Sequence, residues 1–419
     1  MDTVCGKSHT LRYLLLSLFL ATVFSTGTAG GTRLNADSLR ISILTCGPGQ
    51  SVYELYGHTA LRIRDKQTDY DMVFNYGMFS FGRPHFVSRF VRGETDYWLG
   101  VFPFEAFIAA YASDGRSIHE QELNLNGMEK ERLCRQLGAI MAQKGWTYRY
   151  NFLYDNCTTR VTDDIERCVV GRVEWPAAKE ERTFRDIIHE FSGGSPWYTF
   201  GQDILLGEEV DRPLDTRLQM FAPLYAERYL RKARIVGPDG TTRPLVTDEH
   251  TLLHAANLTT GTAIPRPLPV MGLLLLLAIA TAVYERKRGT VCWPFDALLM
   301  TAQGLTGCIV TFLFFCSEHP AVDSNWLILL FNPLPLLWLP IRIWRIRHGK
   351  RDNYYGIMGI LAGMILLAGI FGIQKIPAEI YLLALILIIR GHSFFWRPGC
   401  HLPALRTLKH KNQDNKNLS

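Results

Sequence analysis

Hydrophobic positions along the chain follow two regimes. Between about residues 36 and 262 they recur at strand and helix periods; from Pro267 onward long apolar runs replace the alternation. The first regime opens on Leu39-Arg-Ile-Ser-Ile-Leu-Thr45, which predicts a strand running into the turn Cys46-Gly-Pro-Gly49. From Thr59 strict alternation puts Leu61 and Ile63 on one face of a second strand. His58, Ala60, Arg62 and Arg64 fall on the other, so His58 is expected among polar groups and not in the core. Gly57 just before it permits a bulge or a close backbone approach. Further strands are predicted over 70–76, 95–102 and 117–125, with an aromatic-rich stretch over 77–82. A helix over 127–142 carries Leu133, Leu137, Ile140 and Met141 as its stripe, and Glu129 in its first turn suits the helix dipole. Strands followed by helices give an α+β layout with a mostly antiparallel sheet.

The next helix carries the chemistry. After Cys157 the apolar residues Val161, Ile165, Cys168 and Val169 keep the i, i+4, i+7, i+8 spacing of an amphipathic helix, with Cys157 on its inner face. Asp155 or Asn156 serves as N-cap. Cys157 then lies at the first helical position, where unpaired N–H groups and the positive end of the dipole favour a thiolate. A histidine on a sheet strand is a suitable base for such a nucleophile, and His58 is the expected partner, with His85, His119 and His189 also present. His85 reads as a loop residue, His189 as the polar side of a helix over 183–191, and His119 as a strand residue able to orient the base. Beyond that helix, 208–216 reads as a loop, 219–233 as an amphipathic helix and 235–244 as a turn with Pro-Asp-Gly at its tip, a segment expected to close the domain onto a membrane.

The second regime contains five apolar segments, at about 267–283, 296–316, 326–343, 355–373 and 376–390, the third made irregular by Pro333, Pro335 and Pro340. Glu285-Arg-Lys-Arg288 follows the first, and a run from Arg342 to Arg351 follows the third, whereas Ser317 to Ser324 holds no Lys or Arg. The positive-inside rule puts the basic loops and the basic tail 397–419 in the cytoplasm, and the 36–262 domain outside. Residues 1–30 agree: Lys7 and Arg12 precede a short apolar core from Tyr13 to Phe24, the pattern of a signal peptide or signal anchor. The net charge of +6 lies largely in the cytoplasmic loops and tail and calls for no nucleic-acid partner. Of the nine cysteines, Cys46, Cys134, Cys157 and Cys168 fall in the exported domain, and Cys134 with Cys168 is the expected structural pair. No metal-ligand spacing, P-loop or dinucleotide fingerprint occurs, so no metal or cofactor is expected.

Leu44-Thr-Cys-Gly-Pro-Gly49, Leu55-Tyr-Gly-His-Thr-Ala-Leu-Arg62, Val73-Phe-Asn-Tyr-Gly77, the run Tyr150 to Arg160 around Asn156-Cys157, and Asp203-Ile-Leu-Leu-Gly207 together resemble the Bacteroides-type lipoprotein N-acyltransferases, the Lnb family. That resemblance implies a periplasmic domain similar to circularly permuted, papain-like NlpC/P60 enzymes, over 36–262, followed by an all-α transmembrane bundle of about five helices over 267–396. It implies Cys157 as nucleophile and His58 as base. Asn75, Tyr76 and His119 are candidates for the third member, and Asp155, Asn156 and Arg160 for shaping the site. The implied reaction moves an acyl chain from a phospholipid through a Cys157 thioester to the N-terminal cysteine amine of a diacylated lipoprotein, at the bacterial inner membrane. Arg62, Arg64 or Arg149 would meet a lipid phosphate, and His319, in the short outer loop, would line a lipid entrance. Two other classes stay open from the residues alone: a membrane-anchored cysteine amidase or peptidase acting on cell-wall peptides, and a non-catalytic assembly or sensor protein in which Cys157 is structural.

Overall fold

A computed structural model of the chain describes residues 36–82, 84–256, 265–348, 350 and 352–395; the expected export segment 1–30 and the basic tail lie outside the described residues. The chain divides into two units. The first holds the residues up to Ser195, Arg212–Thr262 and Glu318–Pro320; the second holds Pro196–Asp211, Ala263–Ser317 and Ala321–Ser419.

In chain order the first unit forms β1 (Leu39–Cys46), β2 (His58–Asp65), β3 (Asp71–Met78), α1 (Phe86–Val91), β4 (Asp96–Pro103), α2 (Phe104–Ser113), β5 (Ile118–Leu123), α3 (Gly127–Ala142), β6 (Tyr148–Arg149) and α4 (Cys157–Cys168). There follow β7 (Arg172–Glu174), β8 (Arg182–Thr183) and α5 (Phe184–Ser192), and, after α6 (Pro196–Leu205) of the second unit, β9 (Pro213–Leu214), α7 (Thr216–Gln219), α8 (Pro223–Leu230), β10 (Arg234–Val236), β11 (Thr242–Pro244) and β12 (Val246–Leu253). Seven strands make an antiparallel sheet in the order β12-β5-β1-β2-β3-β4-β6.

The sheet is covered on both faces. Ile41 and Ile43 of β1 stand opposite Ile63 and Leu61 of β2, and with Phe74 they pack on Leu133 and Leu137 of α3 and Val161 and Ile165 of α4. Each such side chain, fully withdrawn from water, contributes about 1.5–3 kcal/mol. On the other face Leu44, Cys46, Ala60, Val73 and Ile118 pack under Phe107 of α2. This corrects the expectation that His58 shares an open polar face. Ala60 is fully buried, and Arg62 is held by Asp71 and Glu120 with its guanidinium 3.2 Å from the centre of the Phe104 ring. Arg62 is therefore withdrawn from any lipid phosphate, while Arg149 pairs with Asp96 and Glu318 and Arg64 stays exposed near Asp71.

Glu129 does more than offset a dipole. It closes a capping box with Asn126, is fully buried, pairs with Arg243 at 2.6 Å and accepts the Val170 N–H at 2.9 Å. The expected helix over 219–233 is shorter, Pro223–Leu230, because Pro223 starts α8 at its first turn, and the separate α7 ends at Gln219. Pro238-Asp239-Gly240 does form the tip of the β10–β11 hairpin, and β12 adds an edge strand beside β5. Cys134 and Cys168 are buried free thiols, so the expected disulfide is absent: both sulfurs are core side chains between the sheet, α3 and α4.

The second unit contains α9 (Pro267–Arg288), α10 (Trp293–Cys316), a 3-10 turn at Trp326–Leu329 leading to α11 (Leu334–Arg347), α12 (Tyr354–Ile370) and α13 (Ala378–Phe395). Among the described residues three segments, 267–288, 293–316 and 326–347, are long and apolar enough to cross a membrane, and α12 is a shorter apolar helix. Charges inside this unit are paired. Asp296 meets Arg342 at 2.6 Å and Arg390 at 2.7 Å and accepts the Tyr355 hydroxyl, while Glu285 meets Arg390 at 2.9 Å. One buried network thus draws on α9, α10, α11, α12 and α13.

Candidate active site

Helix α4 starts where its cap dictates. Asn156 has extended backbone, and its Oδ1 accepts the N–H groups of Thr158 at 2.8 Å and Thr159 at 3.0 Å. Its Nδ2 donates to the carbonyls of Phe152 and Phe221 at 2.8 and 2.9 Å, so every polar atom of this side chain fixes the chain entering the helix. Asp155 exchanges backbone hydrogen bonds with Asn151 and pairs with Arg160, whose guanidinium lies 4.4 Å over the Tyr148 ring. Cys157 follows as the first helical residue, 8 % exposed.

His58 reaches it from β2. Gly57 has φ +84, and a Cβ there would lie 2.5 Å from the Cys46 carbonyl oxygen, so only glycine lets the strand start this close to β1. One residue on, the Thr59 and Thr158 hydroxyls meet at 3.0 Å and tie β2 to α4. The His58 ring lies close enough to the Cys157 thiol for each to shift the other's charge, and its Nε2 is hydrogen-bonded to Oδ1 of Asn75 on β3. The β3–β4 register shifts between Asn75 and Met78, and Gly77, at φ +86, carries no side chain where a Cβ would stand 3.7 Å from Cys157 Cβ and 3.6 Å from the Tyr150 ring.

The electrostatics of the pair oppose its burial. Burial pushes the Cys157 thiol up, but the charge of His58 and hydrogen bonds from His58, the Thr59 N–H and Thr158 bring it down to about 7. Burial pushes His58 down; Cys157 and Asn75 outweigh it and hold the imidazole above its ordinary value. Cys46 lies opposite His58 in the β1–β2 register and is a contrast: burial pushes it up to about 12, with Tyr111 and Arg116 offsetting only part. A shared cysteine environment is therefore not enough; the neighbouring imidazole makes the difference.

Of the residues singled out in the sequence, Cys157, His58 and Asn75 come together. Tyr76 points into the core, where its hydroxyl donates to Asp164 at 2.7 Å. His119 pairs with Thr45 of β1 and Thr251 of β12, and its Nδ1 meets the Thr251 hydroxyl at 3.1 Å, away from His58. His319 bonds through Nε2 to the Phe90 carbonyl, His85 caps α1 in the left-handed region, and His189 is half-buried on α5. Sequence reasoning passed over Thr59, Thr158, Tyr148 and Tyr150, which surround the thiol. Thr59 and Thr158, adjacent to His58 and Cys157, carried a positional signal, and Tyr150 opened the run around Cys157; Tyr148 carried none. Among the described residues no group of His, Cys, Asp or Glu is arranged to hold a metal ion.

Two family models match the chain: the Lnb N-terminal periplasmic domain over residues 30–189 and the Lnb transmembrane domain over 259–397. The first match contains His58, Asn75 and Cys157, and the second contains the five helices α9 to α13 entire. No curated protein and no solved structure matches the chain.

Proposed function

We propose, from the premise that the chain belongs to the Lnb family, that it is a lipoprotein N-acyltransferase with Cys157 as nucleophile. The protein is a membrane protein with a periplasmic N-terminal domain. Our reading extends this to the bacterial inner membrane, with five spans and a cytoplasmic C-terminus, and to a permuted papain-like fold for the catalytic domain. The observation that carries the catalytic reading is the chain of contacts from the Cys157 thiol to His58 to Asn75, at the start of a helix.

In the first half-reaction the Cys157 thiolate attacks an ester carbonyl of a phospholipid. The Cys157 N–H has no intrahelical acceptor at the first helical position and would face the oxyanion. The carbonyl re-forms as a thioester, the lysophospholipid alkoxide leaves, and His58 gives it a proton. In the second half-reaction the α-amine of a diacylated lipoprotein's N-terminal cysteine attacks the thioester. His58 takes the amine proton, an amide forms, and the thiolate is released. Since Nε2 of His58 is engaged by Asn75, Nδ1 is the nitrogen left for these transfers; Asn75 orients the ring. Tyr76 and His119 have no place in this scheme, and Asp155, Asn156 and Arg160 hold the start of α4. No cofactor is required. The test is steady-state kinetics with purified protein, varying phospholipid against a diacylated lipopeptide. Parallel double-reciprocal lines are expected; intersecting lines would contradict a covalent acyl-enzyme.

A further inference from the structure

The catalytic account leaves an aromatic surface of the first unit unused. Tyr53, Phe81, Val87 and Phe90 are 63, 64, 72 and 45 % exposed. They are not scattered. The Phe79 ring meets Tyr53 at 6.2 Å, Phe81 at 4.9 Å and Phe86 at 5.9 Å, and Phe86 meets Phe90 at 6.0 Å. Inward, Phe79 stacks on Tyr97 at 5.1 Å, Tyr97 meets Tyr150 at 4.7 Å, and Tyr150 and Cys157 both border Gly77. A line of rings therefore runs from the surface to the thiol, with a small cavity lined by Phe79, Phe86, Phe90 and Tyr97 beside it.

An exposed apolar patch of this kind marks a contact surface. Its composition and tether select the partner. Arg89 lines the cavity beside the rings, paired with Glu94 and Asp96, and Arg92 pairs with Glu94 in the same segment, so polar and charged groups rim the aromatic face as they do where a protein settles at a lipid interface. Glu318–Pro320 also pack here: the Glu318 N–H donates to the Arg92 carbonyl at 2.8 Å, and the His319 ring meets Phe90 at 5.4 Å. In the chain Glu318 follows two residues after Cys316, the last residue of a 24-residue helix long and apolar enough to cross a membrane.

We propose that the face formed by Tyr53, Phe79, Phe81, Phe86, Val87 and Phe90 dips into the outer surface of the phospholipid bilayer and leads a donor acyl chain along the ring track to Cys157. Lipid contact stands by itself; delivery to Cys157 rests on the acyltransferase reading.

Both parts are tested with the full chain in nanodiscs of phosphatidylethanolamine and phosphatidylglycerol whose acyl chains carry a diazirine. After illumination, mass spectrometry should find lipid adducts at Tyr53 and within 81–90, and none at Met128, which is 58 % exposed on α3. Adducts confined to the apolar helices would overturn the proposal even if the enzyme is active. The second arm compares wild type with F81S/F90S for acylation of Cys157 from the bilayer. The variant should be slower by about tenfold or more, with alkylation of Cys157 by iodoacetamide unchanged. If the variant slows only discharge by the lipopeptide, the face serves the acceptor and the proposal falls. If wild type itself forms no acyl adduct, the acyltransferase reading fails while the adduct map still decides lipid contact.

Discussion

Both units bury charged or chargeable groups, but they treat them differently. In the helical unit Asp296, Glu285, Arg342 and Arg390 answer one another with short ion pairs, leaving a network that binds helices together. The first unit pairs Arg62 and Glu129 in the same way, but at Cys157, buried beside the half-buried His58 at the start of a helix, the thiol is brought down to about 7. Paired burial of opposite charges fixes a structure; burial of a nucleophile beside a single base stores reactivity. The thiols Cys46 and Cys134, both pushed up to about 12, mark what burial does where no imidazole charge outweighs it.

The sharpest break of this comparison is Cys157→Ser. Acyl transfer should fall by more than about a thousandfold while the melting temperature stays near that of wild type, as scanning calorimetry or differential fluorimetry in detergent would report. The converse belongs to the helical unit. Asp296→Ala leaves Arg342 and Arg390 without their shared partner and should cost about 3–5 kcal/mol of stability. The same melting experiment checks it, and the fraction still folded should keep wild-type alkylation of Cys157. A loss of Cys157 reactivity in that folded fraction would argue that the two kinds of burial are coupled.

Titration separates the pair more finely. The thiolate is the reactive form, so alkylation of Cys157 should rise with pH through about 7 and level off above it. In His58→Ala burial is opposed only by the Thr59 N–H and Thr158, and the midpoint should move up, towards the ordinary thiol range or beyond it. Asn75→Ala should lower kcat by about ten- to a hundredfold with KM little changed, since it frees the His58 ring without touching substrate. The smallest effect is expected for Arg160→Ala. Its pair with Asp155 is partly exposed and worth no more than about 1 kcal/mol, so activity should change less than about threefold.

How much of this was legible in the sequence depends on whether the signal was local. The spacing of Val161, Ile165 and Cys168 gave α4 and its inner face, and the stripe Leu133, Leu137, Ile140 and Met141 with Glu129 in the first turn marked α3 at its observed bounds. Local alternation could not show that α2 covers the second sheet face. Phe104–Ser113 is apolar nearly all round, and its burial depends on Ala60 and Val73 from distant strands. Asn75 stood with Tyr76 and His119 as a candidate for the third member, with no local signal to choose it. Its meeting with His58 depends on the β2–β3 pairing and the bulge at Gly77, which no stretch of sequence contains by itself. The Cys134–Cys168 pair failed for a related reason: helical spacing puts both on core faces, but says nothing about whether the two sulfurs approach. The aromatic run over 77–82 was visible, while its continuation to Tyr150 required the strand order.

The central claim is that Cys157 carries an acyl group. Purified full chain in detergent, incubated with a phospholipid labelled in its sn-2 acyl chain and no acceptor, would be examined by intact-mass analysis beside Cys157→Ser. The account predicts one acyl adduct on wild type, mapping to Cys157, discharged by hydroxylamine and by a diacylated lipopeptide, and none on the variant. An adduct that persists in Cys157→Ser, or lipopeptide acylation that proceeds without any adduct, would contradict it.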